Sequence, residues 1–128
     1  MRKNLTIISF LGGLTIVLGA FGAHALKEIL TIDQLNSFDT GVRYQMYHVL
    51  ALLFINAYPG FSENKRKQIS WLFFIGILMF SGSIYLIQLT TITAKSIWFV
   101  TPLGGLLFIL GWILMGLNFL KKKSTRNS

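Results

Sequence analysis

The sequence predicts an all-α integral membrane protein, a four-helix transmembrane bundle, and three observations carry that prediction. Hydrophobic residues make up 53% of the 128 residues and charged residues 12%, with mean hydropathy +0.62, whereas a soluble domain averages roughly 45–50% and roughly 25%. The apolar residues gather into four runs of ~20 residues or more, each long enough to cross ~30 Å of hydrocarbon at ~1.5 Å per residue. The charges fall almost entirely between those runs or at their ends. A helix satisfies its own backbone hydrogen bonds, which lipid cannot do, so four such runs imply four helices. The length suits one membrane domain, residues 1–128.

The first span is read from Leu5 to Leu26. Arg2, Lys3 and the Ala23-His24-Ala25 triplet behind an apolar run imitate a secretory signal peptide. The run exceeds the usual ~7–15 residues of such a segment and is interrupted by Gly12, Gly13, Gly19 and Gly22, so it reads as a retained span. Between Leu30 and Thr40, Thr31-Ile32-Asp33-Gln34 fits a capping box. With Leu35 and Phe38 three residues apart, it predicts a short interfacial helix between spans one and two. The second span is read from Gly41 to Phe61, the third from Ile69 to Leu89 and the fourth from Ser96 to Leu120. Pro102 fits the first turn of a helix, where its missing N–H costs nothing. A helix starting at Ser96 would instead be kinked there.

The net charge of +8 does not indicate nucleic acid, because the basic residues flank apolar runs. Of the 12 Lys and Arg residues, nine (Arg2, Lys3, Lys65, Arg66, Lys67, Lys121, Lys122, Lys123, Arg126) fall on one side of a four-span topology. Lys27, Arg43 and Lys95 fall on the other, with Glu28, Asp33 and Asp39. Cytoplasmic loops are rich in Lys and Arg, so both termini are expected inside. The chain has no cysteine, which excludes disulfides and thiolate metal sites.

Helices associate in lipid through small residues that let backbones approach. At ~100° per residue, Ser9, Gly12, Gly13, Thr15, Gly19, Ala20, Gly22 and Ala23 share a broad side of the first helix, expected to face protein. Gly82 on the third span and Gly104, Gly105, Gly111 and Gly116 on the fourth are expected to pack likewise. Gly104-Gly105 lacks the lysine and the strand–helix setting of a phosphate loop.

The polar residues within the spans are the candidate functional residues. In the topology above, His24, Tyr44, Gln45, His48, Tyr85 and Thr101 all lie towards the outer leaflet. Tyr44, Gln45 and His48 are spaced to share a helix face, and Arg43 is expected to snorkel outward as an interfacial anchor. Two readings compete: polar groups that hold helices together, or a pocket for a small or lipid-like ligand or a partner membrane protein. A third possibility is a small oligomeric transporter or channel using His24 or His48, which would replace the intramembrane carboxylate usual in proton-coupled carriers. Two histidines without nearby carboxylates make a poor zinc site, and no haem-attachment motif is present. No catalytic constellation is visible, so no enzyme activity and no cofactor are expected. The expected partners are the lipid bilayer, a second copy or another membrane protein.

Four blocks carry a resemblance: Gly19-Ala20-Phe21-Gly22-Ala23-His24, Thr40-Gly41-Val42-Arg43-Tyr44-Gln45-Met46-Tyr47-His48, Ser81-Gly82-Ser83-Ile84-Tyr85-Leu86 and Thr101-Pro102-Leu103-Gly104-Gly105. In this order they resemble the YgdD-like family of small bacterial membrane proteins, whose animal relatives are called transmembrane protein 256. The resemblance spans nearly the whole chain and implies a four-span inner-membrane protein of a domain-of-unknown-function family. It supplies no catalytic residues.

Overall fold

The computed structural model describes the backbone of residues 2–126 and the side chains of residues 3–120. The chain forms four long helices, α1 (Arg2–His24), α2 (Ile32–Ala57), α3 (Glu63–Leu89) and α4 (Val100–Arg126), with a 3-10 turn at Leu26–Glu28 after α1.

The helix boundaries follow from local chemistry. Thr31 caps α2: its hydroxyl accepts from Gln34 N at 3.2 Å, and the Gln34 side chain accepts from Thr31 N at 2.9 Å. The helix so begun runs on without a break, which corrects the expectation of a separate interfacial helix. Nothing stops it at the junction. Asp39 pairs with Arg43 one turn later at 2.7 Å, Thr40 Oγ1 donates to Asn36 O at 3.0 Å, and Gly41 is helical. The helix ends at Ala57, short of the expected Phe61, because Pro59 forces the residue before it out of helical geometry. Tyr58 is extended, with φ −77° and ψ 120°. Ser62 then caps α3, which starts six residues before the expected Ile69. Leading into α4, residues 94–99 form turns and the helix begins at Val100, so Pro102 lies in its first turn and no kink arises.

Arg66 secures the α2–α3 connection. Its guanidinium donates to Ile55 O at 3.3 Å, Tyr58 O at 3.2 Å and Phe61 O at 3.3 Å. Two of these carbonyls lie at the C-terminal end of α2, where acceptors lack helical partners. An arginine fork serves several acceptors at once, which a lysine cannot imitate. Arg66→Ala is expected to lower stability by about 1.5–3 kcal/mol, with Arg66→Lys recovering less than half. Thermal unfolding of the three proteins in one detergent checks this, and equal midpoints would remove the assigned role.

Consecutive helices pack as antiparallel neighbours, α1 on α2, α2 on α3 and α3 on α4. Side chains of α2 and α4 also meet, through His48 against Phe108 and Trp112 and through Phe54 and Tyr58 against Phe119. Ile8, Val49, Leu52, Ile55, Ile69 and Phe73 form the fully enclosed centre. Three segments are long and apolar enough to cross a membrane: Lys3–Glu28, Glu63–Leu89 and Val100–Leu120, with mean hydropathies of 2.0, 2.0 and 2.1. The α2 helix is less apolar because Arg43, Gln45, His48 and Asn56 lie within it. All but Arg43 are buried against the other helices, so protein rather than lipid surrounds that polar face.

The glycines act through close approach, since no described glycine has a positive φ. A Cβ on Gly22 would meet the Phe38 ring at 2.7 Å, and one on Gly76 would meet the Phe108 ring at 2.6 Å. Gly12 and Gly19 face Val49 and Val42 at 3.3 and 3.4 Å. Gly104 and Gly111 receive Phe80 and Phe73 of α3. Gly105 meets the Phe80 ring at an ordinary 3.8 Å, and Gly82 meets only Leu78 of its own helix, at 3.9 Å. Gly13 and Gly116 face open space, and Ser9, Ala20 and Ala23 are exposed. The side of α1 that meets protein is thus narrower than the small-residue side of the sequence.

Candidate functional site

The six polar residues singled out by sequence separate into distinct environments. Gln45 and Tyr85 belong to a ladder through three helices. Thr15 Oγ1 donates to Leu11 O at 2.7 Å, Gln45 Nε2 donates to Thr15 Oγ1 at 2.8 Å, and Tyr85 OH donates to Gln45 Oε1 at 2.6 Å. Both ends of the Gln45 amide are therefore engaged, and Thr15 and Gln45 are only 1% and 2% exposed. Beside the ladder, Ser81 Oγ donates to Gly41 O at 2.6 Å. Nearer the other end of α1, Asn56 accepts from Asn4 at 3.1 Å and donates to Leu52 O at 2.9 Å and Ser70 Oγ at 3.1 Å. Among the described residues every buried side-chain polar atom has a partner. These ladders join helices and leave no polar group aimed into empty space.

Thr101 hydrogen-bonds Ser83 and so ties the start of α4 to α3. His24 is exposed at the end of α1, and its side chain makes no hydrogen bond or ring contact among the described residues. Arg43 points outward with Asp39, both side chains more than half exposed. Such an exposed pair contributes at most about 1 kcal/mol, so Arg43 sits apart from the buried Gln45 and His48.

Tyr44 and His48 turn towards α4. His48 lies flat on Phe108, ring centroids 3.6 Å apart and planes 10° apart. Its Nδ1 is 2.7 Å from Tyr44 O, and its Nε2 accepts from Trp112 Nε1 at 3.0 Å. A carbonyl only accepts and an indole N–H only donates, so Nδ1 carries the proton, Nε2 the lone pair, and the imidazole is neutral. With Nε2 occupied by Trp112, the ring has no lone pair left for a metal or a haem iron. No group of three or more His, Asp or Glu able to hold a metal ion occurs among the described residues.

His48 and Trp112 line a groove of about 450 Å³ where α2 faces α4, together with Tyr44, Gly105, Ile109 and Phe80 of α3. Its lining is almost wholly apolar. Of the six sequence candidates only Tyr44 and His48 line it. Trp112, Phe108 and Phe80 were passed over because aromatic residues in an apolar run signal nothing by themselves. Asn4 and Ser70 were missed, and Thr15 was read only as part of a packing face, because their partners lie on other helices.

The model of a family described as "Protein of unknown function (DUF423)" matches residues 18–105. A UPF0382 membrane protein of Haemophilus influenzae is 41% identical over 126 residues, covering 96% of this chain and 98% of its own length. UPF0382 membrane proteins of Staphylococcus saprophyticus (42% identical; 80% of this chain and 84% of the relative) and of Bacillus subtilis, there called YwdK (40%; 80% and 83%), are also similar. No solved structure matches. With its family model spanning more than half of the chain and relatives of this likeness named as membrane proteins, the chain belongs to the DUF423 family of membrane proteins of unknown function.

Proposed function

We propose that the protein is a multi-pass protein of the bacterial cytoplasmic membrane that binds an apolar, lipid-like molecule in the groove between α2 and α4, without catalysing a reaction. In this reading all four helices span the bilayer and both termini are cytoplasmic. The one-sided distribution of Lys and Arg supports that orientation. At ~1.5 Å per residue, the 26 residues of α2 reach about 39 Å, and Gln45, His48 and Asn56 within it are shielded by protein.

The observation that carries the proposal is the groove itself. Its volume, about 450 Å³, is in the range of small-molecule sites, roughly 300–1,000 Å³. Its walls offer aromatic faces and aliphatic side chains, while the one imidazole in it is engaged by Trp112. That chemistry fits an acyl or isoprenoid chain better than a polar solute. Transport through His48 is less well supported, because its two nitrogens are held by Tyr44 and Trp112 and His24 lies apart.

Native mass spectrometry of the gently purified protein tests the reading. Wild type is expected to retain an apolar molecule. Gly105→Leu is expected to lose it while still folding, because a Cβ at residue 105 makes only ordinary contact with Phe80, at 3.8 Å. A ligand-free wild type, or a variant that keeps the molecule, rules the proposal out. The same spectra report whether a second copy is bound.

A further inference from the structure

The seam between α1 and α2 joins a polar cup to an apolar furrow. The cup, about 250 Å³, lies where α1 ends and α2 begins and is bounded by Gly22, Lys27, Asn36, Phe38 and Asp39. The furrow, about 350 Å³, is bounded by Ile16, Ala20, Arg43 and Met46. Gly19 and Val42 line both, so the two adjoin along one seam. Thr15, the other polar residue of the furrow, has its hydroxyl committed to Leu11 O and Gln45.

The charges at the cup are specific to it. Asp39 is neutralised by Arg43 at 2.7 Å, while Lys27 is exposed and has no ion pair among the described residues. Lys27, Asp39 and Arg43 together leave one positive charge, the complement of one phosphodiester. The surrounding surface does not supply that charge. Across this whole end, Lys27, Arg43 and Lys95 are balanced by Glu28, Asp33 and Asp39. Glu28 and Asp33 are exposed and border neither cavity.

We propose that this seam is a binding site for one membrane glycerophospholipid. Its phosphodiester is held by the Lys27 ammonium and the Asn36 amide, and an acyl chain lies in the furrow over Ala20 and Met46. An ammonium–phosphate contact is charge-assisted and stronger than a neutral one, and the furrow gives the chain an apolar protein wall over Ile16, Ala20 and Met46. The site requires α1 and α2 to lie in a bilayer and does not depend on whether the α2–α4 groove is filled.

The test is lipid titration by native mass spectrometry, with dioleoylphosphatidylglycerol and dioleoylglycerol as probes that share acyl chains and differ in the phosphodiester. Wild type is expected to prefer the phospholipid about tenfold. Lys27→Ala, at an exposed residue outside the core, is expected to erase the preference while binding of dioleoylglycerol stays unchanged. Ala20→Phe, which fills the furrow from its exposed side, is expected to weaken both lipids. Gly105→Leu is expected to keep the preference, which separates this site from the groove. Equal binding of the two lipids by wild type, or a preference that survives Lys27→Ala, overturns the proposal. Displacement of the phospholipid by excess inorganic phosphate overturns it as well, because the seam would then recognise phosphate without the chain.

Discussion

Gly104→Ala is expected to unseat α4 from α3 and to lower stability by at least about 2 kcal/mol. A Cβ at residue 104 would meet the backbone nitrogen of Phe80 and lie 2.9 Å from its Cα. Backbone cannot rotate away as a side chain can, so the helices must separate. Two further contacts then loosen together: Phe108 of α4 seated on Gly76 and Phe73 of α3 seated on Gly111. Each helix offers the other a glycine and inserts a ring into the partner's glycine, so a small separation at Gly104 spoils the fit along the interface. In lipid the contact has no hydrophobic driving force, so close packing is what holds it. Overpacking costs typically about 1–3 kcal/mol and occasionally more, while alanine regains roughly 0.8–1 kcal/mol of helix propensity over glycine. A contact against backbone belongs at or above the upper end of that cost. Gly116→Ala and Gly13→Ala are the controls. Nothing lies within 4 Å of a Cβ at either residue, so each is expected to be neutral or to gain up to about 1 kcal/mol. Thermal unfolding of all three variants in one detergent measures the contrast. A Gly104→Ala protein that melts with the controls would show that the α3–α4 approach is looser than described.

This contrast also marks how far the sequence can be read. Periodicity and small residues located Gly104 and Gly111 on a packing face, because a face is a property of one helix. They did not distinguish Gly104, pressed on backbone, from Gly105, which borders an open groove, because that depends on the register of the neighbouring helix. The capping box at Thr31 and Gln34 was legible because both partners lie within one turn. Its consequence, a helix continuous through Gly41, was not, because the polar stretch before Gly41 and the apolar run after it read as two separate helices. Pro59 did hold the end of α2 in plain view, but the apolar run through Phe61 masked it. Arg66 read as one more cytoplasmic charge, although its partners are three carbonyls up to 11 residues earlier in the chain. In the candidate site, residue types were legible and partners were not. Gln45 and His48 were expected to share a face, yet Gln45 joins Thr15 and Tyr85 while His48 joins Trp112, 64 residues away.

His48→Ala is expected to lower stability by about 3 kcal/mol and, with it, to abolish retention of a groove ligand. The imidazole is 4% exposed, stacked on Phe108 and edge-on to Phe73 at 5.0 Å. Truncation therefore leaves a void between three helices, of the kind that costs roughly 2–5 kcal/mol in a packed core. It also leaves the Trp112 N–H facing that void without an acceptor, in surroundings where no water replaces it. Trp112→Phe separates the two contributions, since it removes the N–H donor and keeps an aromatic ring. If the Trp112–His48 hydrogen bond has its own worth, the double variant should be less destabilised than the sum of the singles, by about 0.6 kcal/mol and at most about 1.7 kcal/mol. Exact additivity would assign the whole effect to packing. Ligand retention then decides between the two roles of the histidine. If Trp112→Phe keeps both most of the stability and the groove molecule, His48 acts through the shape it gives the groove. If Trp112→Phe keeps the stability and loses the molecule, the fixed orientation of the imidazole is itself part of recognition. A fully stable His48→Ala protein would overturn the structural role and leave His48 to ligand binding alone.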